Sequence, residues 1–365
     1  MNIIVQKQEL LRALSLTSRF TSGRLGSNSG LQGVLFSNKD SLLHLYGTNL
    51  NSFFHTEIQS SSKEEVKFIL DYHKAIEFIT YLQEGEVTLV VEEGKVVVLQ
   101  KKTKGSFSFI PQNDFPLPPP IKNKGEEVEM EAFQKMISLV LFSASRDLSR
   151  PVLSGVNFVE KDGEVDVVAT DGFRLSLFHM KNSLGMKSML IPAEFLLELI
   201  RHTKEQKKIQ MSFSEEEKMV YFKAGKDEYY SRLIEGEYPP YERVIPAEKK
   251  TTITVDKEEL MRNIKLISIF ARDFSSIVIC HFKKGELTLS PKIEGGVDNT
   301  TTQDIEFEGE EMNVAFNFKF LLEFLNIIED EAVVIELLRP DAPVVLKTKK
   351  EKDFLHIIMP VRIQE

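Results

Sequence analysis

Apolar positions along the chain follow two rhythms, and the order of those rhythms repeats. The segment IIVQKQELLRALSLTSR alternates for a few residues and then shifts to the spacing of an amphipathic helix. VEMEAFQKMISLVLFSASR and ITVDKEELMRNIKLISIFAR do the same. Anchored on Val5, Val128 and Val255, the three copies lie about 125 residues apart, and each carries a base one helical stretch further on: Arg12, Lys135 and Arg262. A second set lies between them. KFILDYHKAIEFI, SMLIPAEFLLELI and NVAFNFKFLLEFL again read as strand then helix, with Glu77, Glu198 and Glu323 in register. Short alternating runs split by polar turns follow each helix, as in GEVTLVVEEGKVVVLQ and KIQMSFSEEEKMVYFKAG, and these predict hairpins. Each repeat is therefore expected to hold two strand–helix–strands units. The single apolar stripe of each helix should cover one face of a sheet. The fold class is α+β, three copies of one domain, each with two helices packed on antiparallel sheet. The Pro-rich stretches FPLPPPIKNKG and YPPYERVIPAEKK mark the joints, giving expected domains at residues 1–122, 123–249 and 250–365.

Composition sets outer limits. With 365 residues, 42% apolar and 28% charged, the chain has an ordinary globular balance and enough length for two or three domains. A lone cysteine, Cys280, excludes an internal disulfide framework and fits a reducing cytoplasm. The charged N-terminal stretch MNIIVQKQELL lacks the apolar core of a signal peptide, and no uncharged apolar run approaches the roughly 18 residues of a membrane span. The net charge of −9 argues against a nucleic-acid binder if taken as a sum, but binding is local.

Where the charges fall changes that picture. On the first helix Gln8, Arg12, Ser15 and Arg19 share the side opposite Leu10, Leu11 and Leu14. The matching stripes are Glu131, Lys135, Ser138 and Glu258, Arg262, Lys265. Any one such stripe reads as a solvated face; its recurrence with a base at the second position points to a shared role. Many acids lie in hairpin turns and strand ends, such as Glu92, Glu93, Glu215, Glu216, Glu217, Glu308, Glu310 and Glu311. A basic stripe with no base-reading motif would touch phosphates and not read sequence. Helices are about 10 Å across, so six in a circle leave a hole of about 9 Å and twelve leave about 28 Å. A DNA duplex about 20 Å wide fits only the second. If these helices line a DNA channel, two chains are needed, and head-to-tail closure would make six equivalent domains.

Four segments carry a family resemblance: SRPVLSGVNF, VVATDGFRLSLF, SRLIEGEYPPYERVIP and the terminal HIIMPVRIQE. In this order and at these distances they resemble the bacterial DNA polymerase III beta subunit, the sliding clamp, over the whole chain. The resemblance implies a ring with helices inside and sheets outside, a head-to-tail homodimer around duplex DNA, and no catalysis or cofactor. It also implies tethering of the polymerase III alpha subunit, the clamp loader and other proteins through short hydrophobic peptides. It places their pocket on Leu153, Thr170, Gly172, Phe173, Arg174 and Leu175, on Pro239, Arg243 and Val244, on Pro343, and on Ile358, Met359, Pro360, Val361 and Arg362. An extended peptide with an apolar anchor needs such a hollow, with Arg174 and Arg243 expected at its rim. Met359 suits varied ligands. Two features depart from the family. Phe173 stands where many relatives carry His, and Gln364 and Glu365 extend the usual ending.

For DNA, the resemblance places Arg24 near a contacting loop. Arg146, Arg150 and Arg272 hold similar places, and Arg201, His202, Lys204, Lys207 and Lys208 form a basic cluster at a helix end, where the helix dipole is an equally good reason for them. For the dimer, Ile269 and Phe270 are expected to face Phe107 and Phe109, with Lys74 nearby, at a joint between sheet edges; core packing competes. Two other readings stand beside the clamp. Asp171 and His179 could serve an acid–base enzyme, though no phosphate-cradling Gly loop, nucleophile elbow or metal-spaced set accompanies them. A peptide-binding scaffold would share the pocket without encircling DNA.

Overall fold

The computed structural model describes residues 1–23, 29–111, 114–120, 125–147, 149–182, 185–272, 275–292 and 299–362. In chain order the first repeat runs β1 (Asn2–Gln6), α1 (Lys7–Ser18), β2 (Val34–Lys39), β3 (Leu42–Thr48) and β4 (Ser52–Gln59). It continues with β5 (Val66–Leu70), α2 (Tyr72–Thr80), β6 (Glu86–Glu92), β7 (Lys95–Gln100) and β8 (Thr103–Ser108). The second runs β9 (Glu126–Glu129), α3 (Met130–Leu141), β10 (Gly155–Lys161), β11 (Glu164–Thr170) and β12 (Arg174–Lys181). Then come β13 (Met189–Pro192), α4 (Ala193–Thr203), β14 (Lys208–Ser214), β15 (Met219–Ala224) and β16 (Asp227–Arg232). The third runs β17 (Thr251–Asp256), α5 (Lys257–Ala271), β18 (Ile277–Lys283), β19 (Glu286–Pro291), β20 (Thr301–Asp304) and β21 (Glu306–Glu308). It ends with β22 (Met312–Asn317), α6 (Phe318–Ile327), β23 (Ala332–Leu337), β24 (Val344–Thr348) and β25 (Phe354–Ile358). Each strand–helix segment read from the sequence is present, and each helix is followed by a run of strands.

The helix starts have local causes. Asp71, Asp256 and Asn317 stand in extended backbone before α2, α5 and α6, and each side chain accepts from a first-turn N–H. Gln6 makes no such bond before α1. There the Lys7 amide donates to the Gly85 carbonyl instead, at 2.9 Å. The predicted hairpins also form: Glu92 pairs with Lys95 between β6 and β7, and Ser214 with Met219 between β14 and β15.

The chain divides into two compact units, and the division passes through α3 and α4. Unit 1 comprises residues 1–131 and 198–233. It holds a four-stranded sheet, β1-β6-β7-β8, and an eight-stranded sheet, β5-β2-β3-β4-β16-β15-β14-β9. Ile3, Leu10, Leu14, Phe36, Leu45, Ile79, Leu89 and Val98 meet in its core, which draws on both sheets and on α1 and α2. Unit 2 comprises residues 132–197 and 234–365. It holds a nine-stranded sheet, β13-β10-β11-β12-β25-β24-β23-β17-β21, and a four-stranded sheet, β20-β19-β18-β22. Ile264, Ile267, Cys280, Phe282, Leu321, Phe324 and Ile335 lie in its core, and burial drives the Cys280 thiol upward, away from reactive thiolate.

In both units the large sheet joins strands of different repeats. In unit 1, β4 pairs antiparallel with β16, from Ser52 opposite Ser231 to His55 opposite Glu228. In unit 2, β12 pairs with β25, from Arg174 opposite Ile358 to Phe178 opposite Phe354. These joints satisfy backbone groups that an edge strand would leave open.

Candidate functional site: an apolar hollow at the β12–β25 joint

The hollow expected from the sequence centres on the turn where β11 passes into β12. Thr170 and Leu175 are opposed across the ladder, so residues 171–173 must reverse the chain. Gly172 takes φ +92°, a conformation that L side chains rarely adopt. Asp171 closes the turn by accepting from the Phe173 and Arg174 amides at 2.9 and 3.0 Å. The Phe173 ring is left 62% exposed, while its carbonyl accepts the Met359 amide at 2.8 Å. That bond continues the β12–β25 ladder and fixes the C-terminal segment beside the turn. Further along, the Val361 amide donates to the Ala315 carbonyl at 2.8 Å.

The other predicted residues sort by depth. Leu153, Thr170, Leu175 and Ile358 are buried. Val244, Pro343, Met359, Pro360 and Val361 are half-buried, and Gly172, Phe173, Pro239, Arg243 and Arg362 are exposed. Leu175 and Val244 share one apolar cluster with Val168, Tyr241 and Ile357. Ile358 belongs instead to the core of unit 2, so it supports the hollow and does not line it. The turn residues, the short helical turn at Tyr241–Val244 and the C-terminal segment are thus gathered around the start of β12.

The structure corrects one assignment. Arg174 is not a rim group; it is buried. Its Nε donates to Asp171 at 3.0 Å, one Nη donates to Glu323, and the other Nη donates to the Phe142 carbonyl at 2.7 Å. The guanidinium stacks 4.7 Å from the Phe320 ring and 5.5 Å from the Phe142 ring. A planar fork with several fixed donors suits such a strut. Arg150, assigned to DNA, is exposed, and its guanidinium reaches within 3.8 Å of where a Cβ on Gly172 would stand, at the rim. The tertiary structure added Tyr238, Tyr241, Phe142 and Phe320 around the site. Glu323 was visible in the sequence only as a repeated helix position.

Beneath the turn, His356 is fully buried between the Phe142 and Phe324 rings, and Ser176 bridges it to Ser143 by two contacts of 2.8 Å. Burial first, and the nearby Arg174 charge second, hold His356 well below its ordinary value, so it stays neutral.

Asp171 and His179 are not brought together. Asp171 is committed to the turn and to Arg174, while His179 pairs with Asp166 at 2.7 Å, four ladder positions away. Asp166 also accepts from the Tyr241 hydroxyl at 2.7 Å. These residues form two structural clusters.

The three repeated bases do point outward, but each has an acidic partner. Arg12 makes a forked pair with Asp227 at 2.8 and 3.1 Å, Lys135 pairs with Glu351, and Arg262 meets Glu259 at 3.3 Å. The uniform free basic stripe expected from the sequence is therefore met by acidic partners, those of Arg12 and Lys135 coming from β16 and from the turn between β24 and β25. Arg146 and Lys204 are exposed, and Arg201 pairs with Glu198 at 2.7 Å. Arg24, Gln364 and Glu365 lie outside the described residues. At the predicted joint, Ile269 and Phe270 are 49% and 42% exposed, with Leu266 alongside at 48%. Lys74 is exposed, whereas Phe107 and Phe109 are half-buried against Phe78 and Phe68.

Around the buried Arg174 the structure thus gathers an apolar surface, on a fold of repeated strand–helix–strand units with antiparallel sheets. Sequence profiles of the DNA polymerase III beta subunit match nearly the whole chain: the N-terminal domain over residues 1–119, the central domain over 127–240 and the C-terminal domain over 242–362. The beta sliding clamp of Treponema pallidum is 26% identical and aligns over 100% of both chains. That of Halalkalibacterium halodurans is 27% identical over 82% of this chain and 81% of its own. Among solved structures, the beta subunit of Thermotoga maritima superposes with a TM-score of 0.92 at 23% identity, over 100% of both chains. A Pseudomonas aeruginosa clamp bound to griselimycin superposes with a TM-score of 0.89 at 22% identity, also over 100% of both. The chain belongs to the DNA polymerase III beta subunit family, the bacterial sliding clamps, and its role is that of a non-catalytic processivity factor.

Two outcomes follow from the strut and the buried imidazole. Arg174→Ala strands Asp171, Glu323 and the Phe142 carbonyl, and should lower the unfolding free energy by about 3 kcal/mol in a urea titration. Arg174→Lys should recover less than half, because one ammonium cannot reach all three acceptors. For His356 the unfolded chain takes up a proton below pH 6.5 while the folded chain does not. Its contribution is thus complete above pH 6.5 and is lost below it, at up to about 1.4 kcal/mol per pH unit. Urea titrations at pH 7.5, 6.5 and 5.5 should show that slope reduced by this amount in His356→Leu.

Proposed function

We propose that two copies of this chain close head to tail into a ring around duplex DNA, with domains at residues 1–122, 123–249 and 250–365. The ring holds the polymerase III alpha subunit, the clamp loader and other partners by short hydrophobic peptides. The observation that carries this reading is the repetition of one β-α-β pattern three times over, twice per repeat, with every first-set helix turning a polar stripe outward. Repetition of this kind suits closure, and closure needs no tight direct contact with DNA. The neutralised pairs along those stripes suit sliding, since a ring held by topology gains nothing from strong phosphate bonds. Arg146, Lys204 and Arg24 are the residues we assign to transient phosphate contact.

For the joint between copies, the apolar patch of Leu266, Ile269 and Phe270 on α5 and the edge strand β8 offer complementary features. β8 ends its sheet, so one of its backbone edges has no strand partner among the described residues. For peptide capture, Phe173, Val244, Met359, Pro360 and Val361 offer a half-open apolar surface at the turn, with Arg150 and Arg243 at its margin. The griselimycin-bound relative supports a ligand site on this fold. The Phe173 ring makes the margin more apolar and removes a titratable group. Among the described residues no helix is long and apolar enough to cross a membrane, and the site of action we propose is the cytoplasm.

The test is retention. Chains loaded onto nicked circular DNA should stay bound and be lost on linearisation; equal loss from both forms would refute the ring. Ile269→Asp with Phe270→Asp should halve the mass in equilibrium sedimentation and abolish retention, while leaving circular dichroism unchanged. Met359→Glu should leave retention intact and weaken a fluorescent clamp-binding peptide by about tenfold or more in anisotropy.

A further inference from the structure

A second site lies in unit 1, on the outward face of the eight-stranded sheet, among residues that neither the hollow nor the helices use. Alternation along β3 sends Leu43 and Leu45 into the core and leaves His44 and Tyr46 outward; along β4 it sends Phe54 and Ile58 inward and leaves His55 and Glu57 outward. The register then sets His44 opposite Glu57 and Tyr46 opposite His55. Three metal-ligating side chains so occupy one corner of a ladder. Directly opposed residues in a ladder have Cβ atoms about 5 Å apart, a span one ion can bridge.

His44 Nδ1 faces His55 Nε2 at 3.0 Å, and His44 Nδ1 lies 3.6 Å from a Glu57 carboxylate oxygen. One ligand atom from each of the three residues fits within a cluster 4.8 Å wide. Tetrahedral zinc with bonds of about 2.05 Å places its ligand atoms about 3.3 Å apart, between the two measured separations. The second ring nitrogen of His55 is also fixed. Its Nδ1 lies 2.8 Å from Glu228, and a carboxylate only accepts, so Nδ1 carries the hydrogen and Nε2 presents its lone pair toward His44. Glu228 is itself held by Lys223 at 3.0 Å, Tyr230 at 3.0 Å and Tyr221 at 3.3 Å. The Tyr46 ring stacks on the His55 ring at 4.4 Å and 11°, fixing its plane. A carboxylate that orients a ligating imidazole is the usual outer partner of a protein zinc ligand.

Two imidazole nitrogens 3.0 Å apart share one hydrogen: with the His55 Nε2 lone pair turned toward it, His44 Nδ1–H donates. A divalent ion can take the place of that hydrogen once His44 carries its own on Nε2, with Glu57 supplying negative charge. We propose that His44, His55 and Glu57 bind one divalent ion of the zinc class per chain, with Glu228 as the positioning residue. Three protein ligands on an outward face leave a fourth position to water. The ion clips β3 to β4 one strand from the β4–β16 joint, so its binding stabilises the sheet that unites two repeats.

The experiment uses the full-length chain after chelator treatment and dialysis. Titration with CoCl2 should develop the visible ligand-field bands of a four-coordinate ion, saturating at one equivalent per chain. ZnCl2 should bleach them and raise the melting temperature, and MgCl2 should do neither, because two of the donors are nitrogen. His44→Gln and Glu57→Gln should each abolish the bands, and Glu228→Gln should weaken binding by about 10–100-fold. Neither His44 nor Glu57 is in the apolar core; should one variant fail to fold by circular dichroism, the other decides. Absence of bands in the unmodified chain would overturn the proposal. So would saturation unchanged in a folded His44→Gln or Glu57→Gln, which would assign the ion to another histidine such as His179, or equal displacement by MgCl2.

Discussion

Pairing between strands of different repeats is the constraint on which the rest of this structure depends. A repeat that ended its sheet in open edge strands would expose rows of unpaired amide and carbonyl groups. Here β4 takes β16 as its neighbour and β12 takes β25, so in each unit one sheet runs unbroken from one repeat into the next. The joint is made of backbone hydrogen bonds and therefore tolerates varied side chains on its outward face. Both sites sit on such joints. The hollow forms at the end of the β12–β25 ladder, where the Phe173 carbonyl captures the Met359 amide. The histidine cluster forms beside the β4–β16 ladder, where His55 is opposed to Glu228.

The turn at the start of β12 is held rigidly by a buried charge. The exposed members of the hollow include Phe173 and Pro239 beside Arg243 and Arg362, while the arginine that braces it is hidden. Arg174 ties the turn through Asp171, helix α6 through Glu323 and the end of α3 through the Phe142 carbonyl, and two aromatic rings shield it. A buried cation is tolerable when its donors are satisfied this fully. The neutral His356 beneath it is joined through Nδ1 to Ser176 and on to Ser143. A rigid floor under a rim of Phe173, Val244 and Met359 suits the peptide-capturing site proposed above.

The repeat, its two helices and its hairpins were legible because they depend on periodicity, and periodicity is local. The strand–helix segments anchored on Val5, Val128 and Val255 and their second-set partners all appear where the pattern placed them. The hollow was legible only through family resemblance; nothing in the spacing of Leu153, Val244 and Met359 says that they share a cluster of elements. The role of Arg174 was misread for the same reason. An arginine after Asp-Gly-Phe looks exposed, and only the packing of Phe142, Phe320 and Glu323 around it shows that it is buried. Arg150 was assigned to DNA by family resemblance; in the structure it is exposed, beside Gly172.

By itself the sequence determined the element order, the threefold repetition, the outward polar stripes and the family. These are carried by side-chain alternation and helical spacing within stretches of a dozen residues or so. Only the tertiary structure decided which charges are free and which are spent. Arg12 meets Asp227, Lys135 meets Glu351 and Arg174 meets Glu323 across separations of 215, 216 and 149 residues. The reason is that hydrophobic patterning dictates which face of an element is buried, whereas charge pairing depends on which distant strand, helix or turn the completed fold sets beside it.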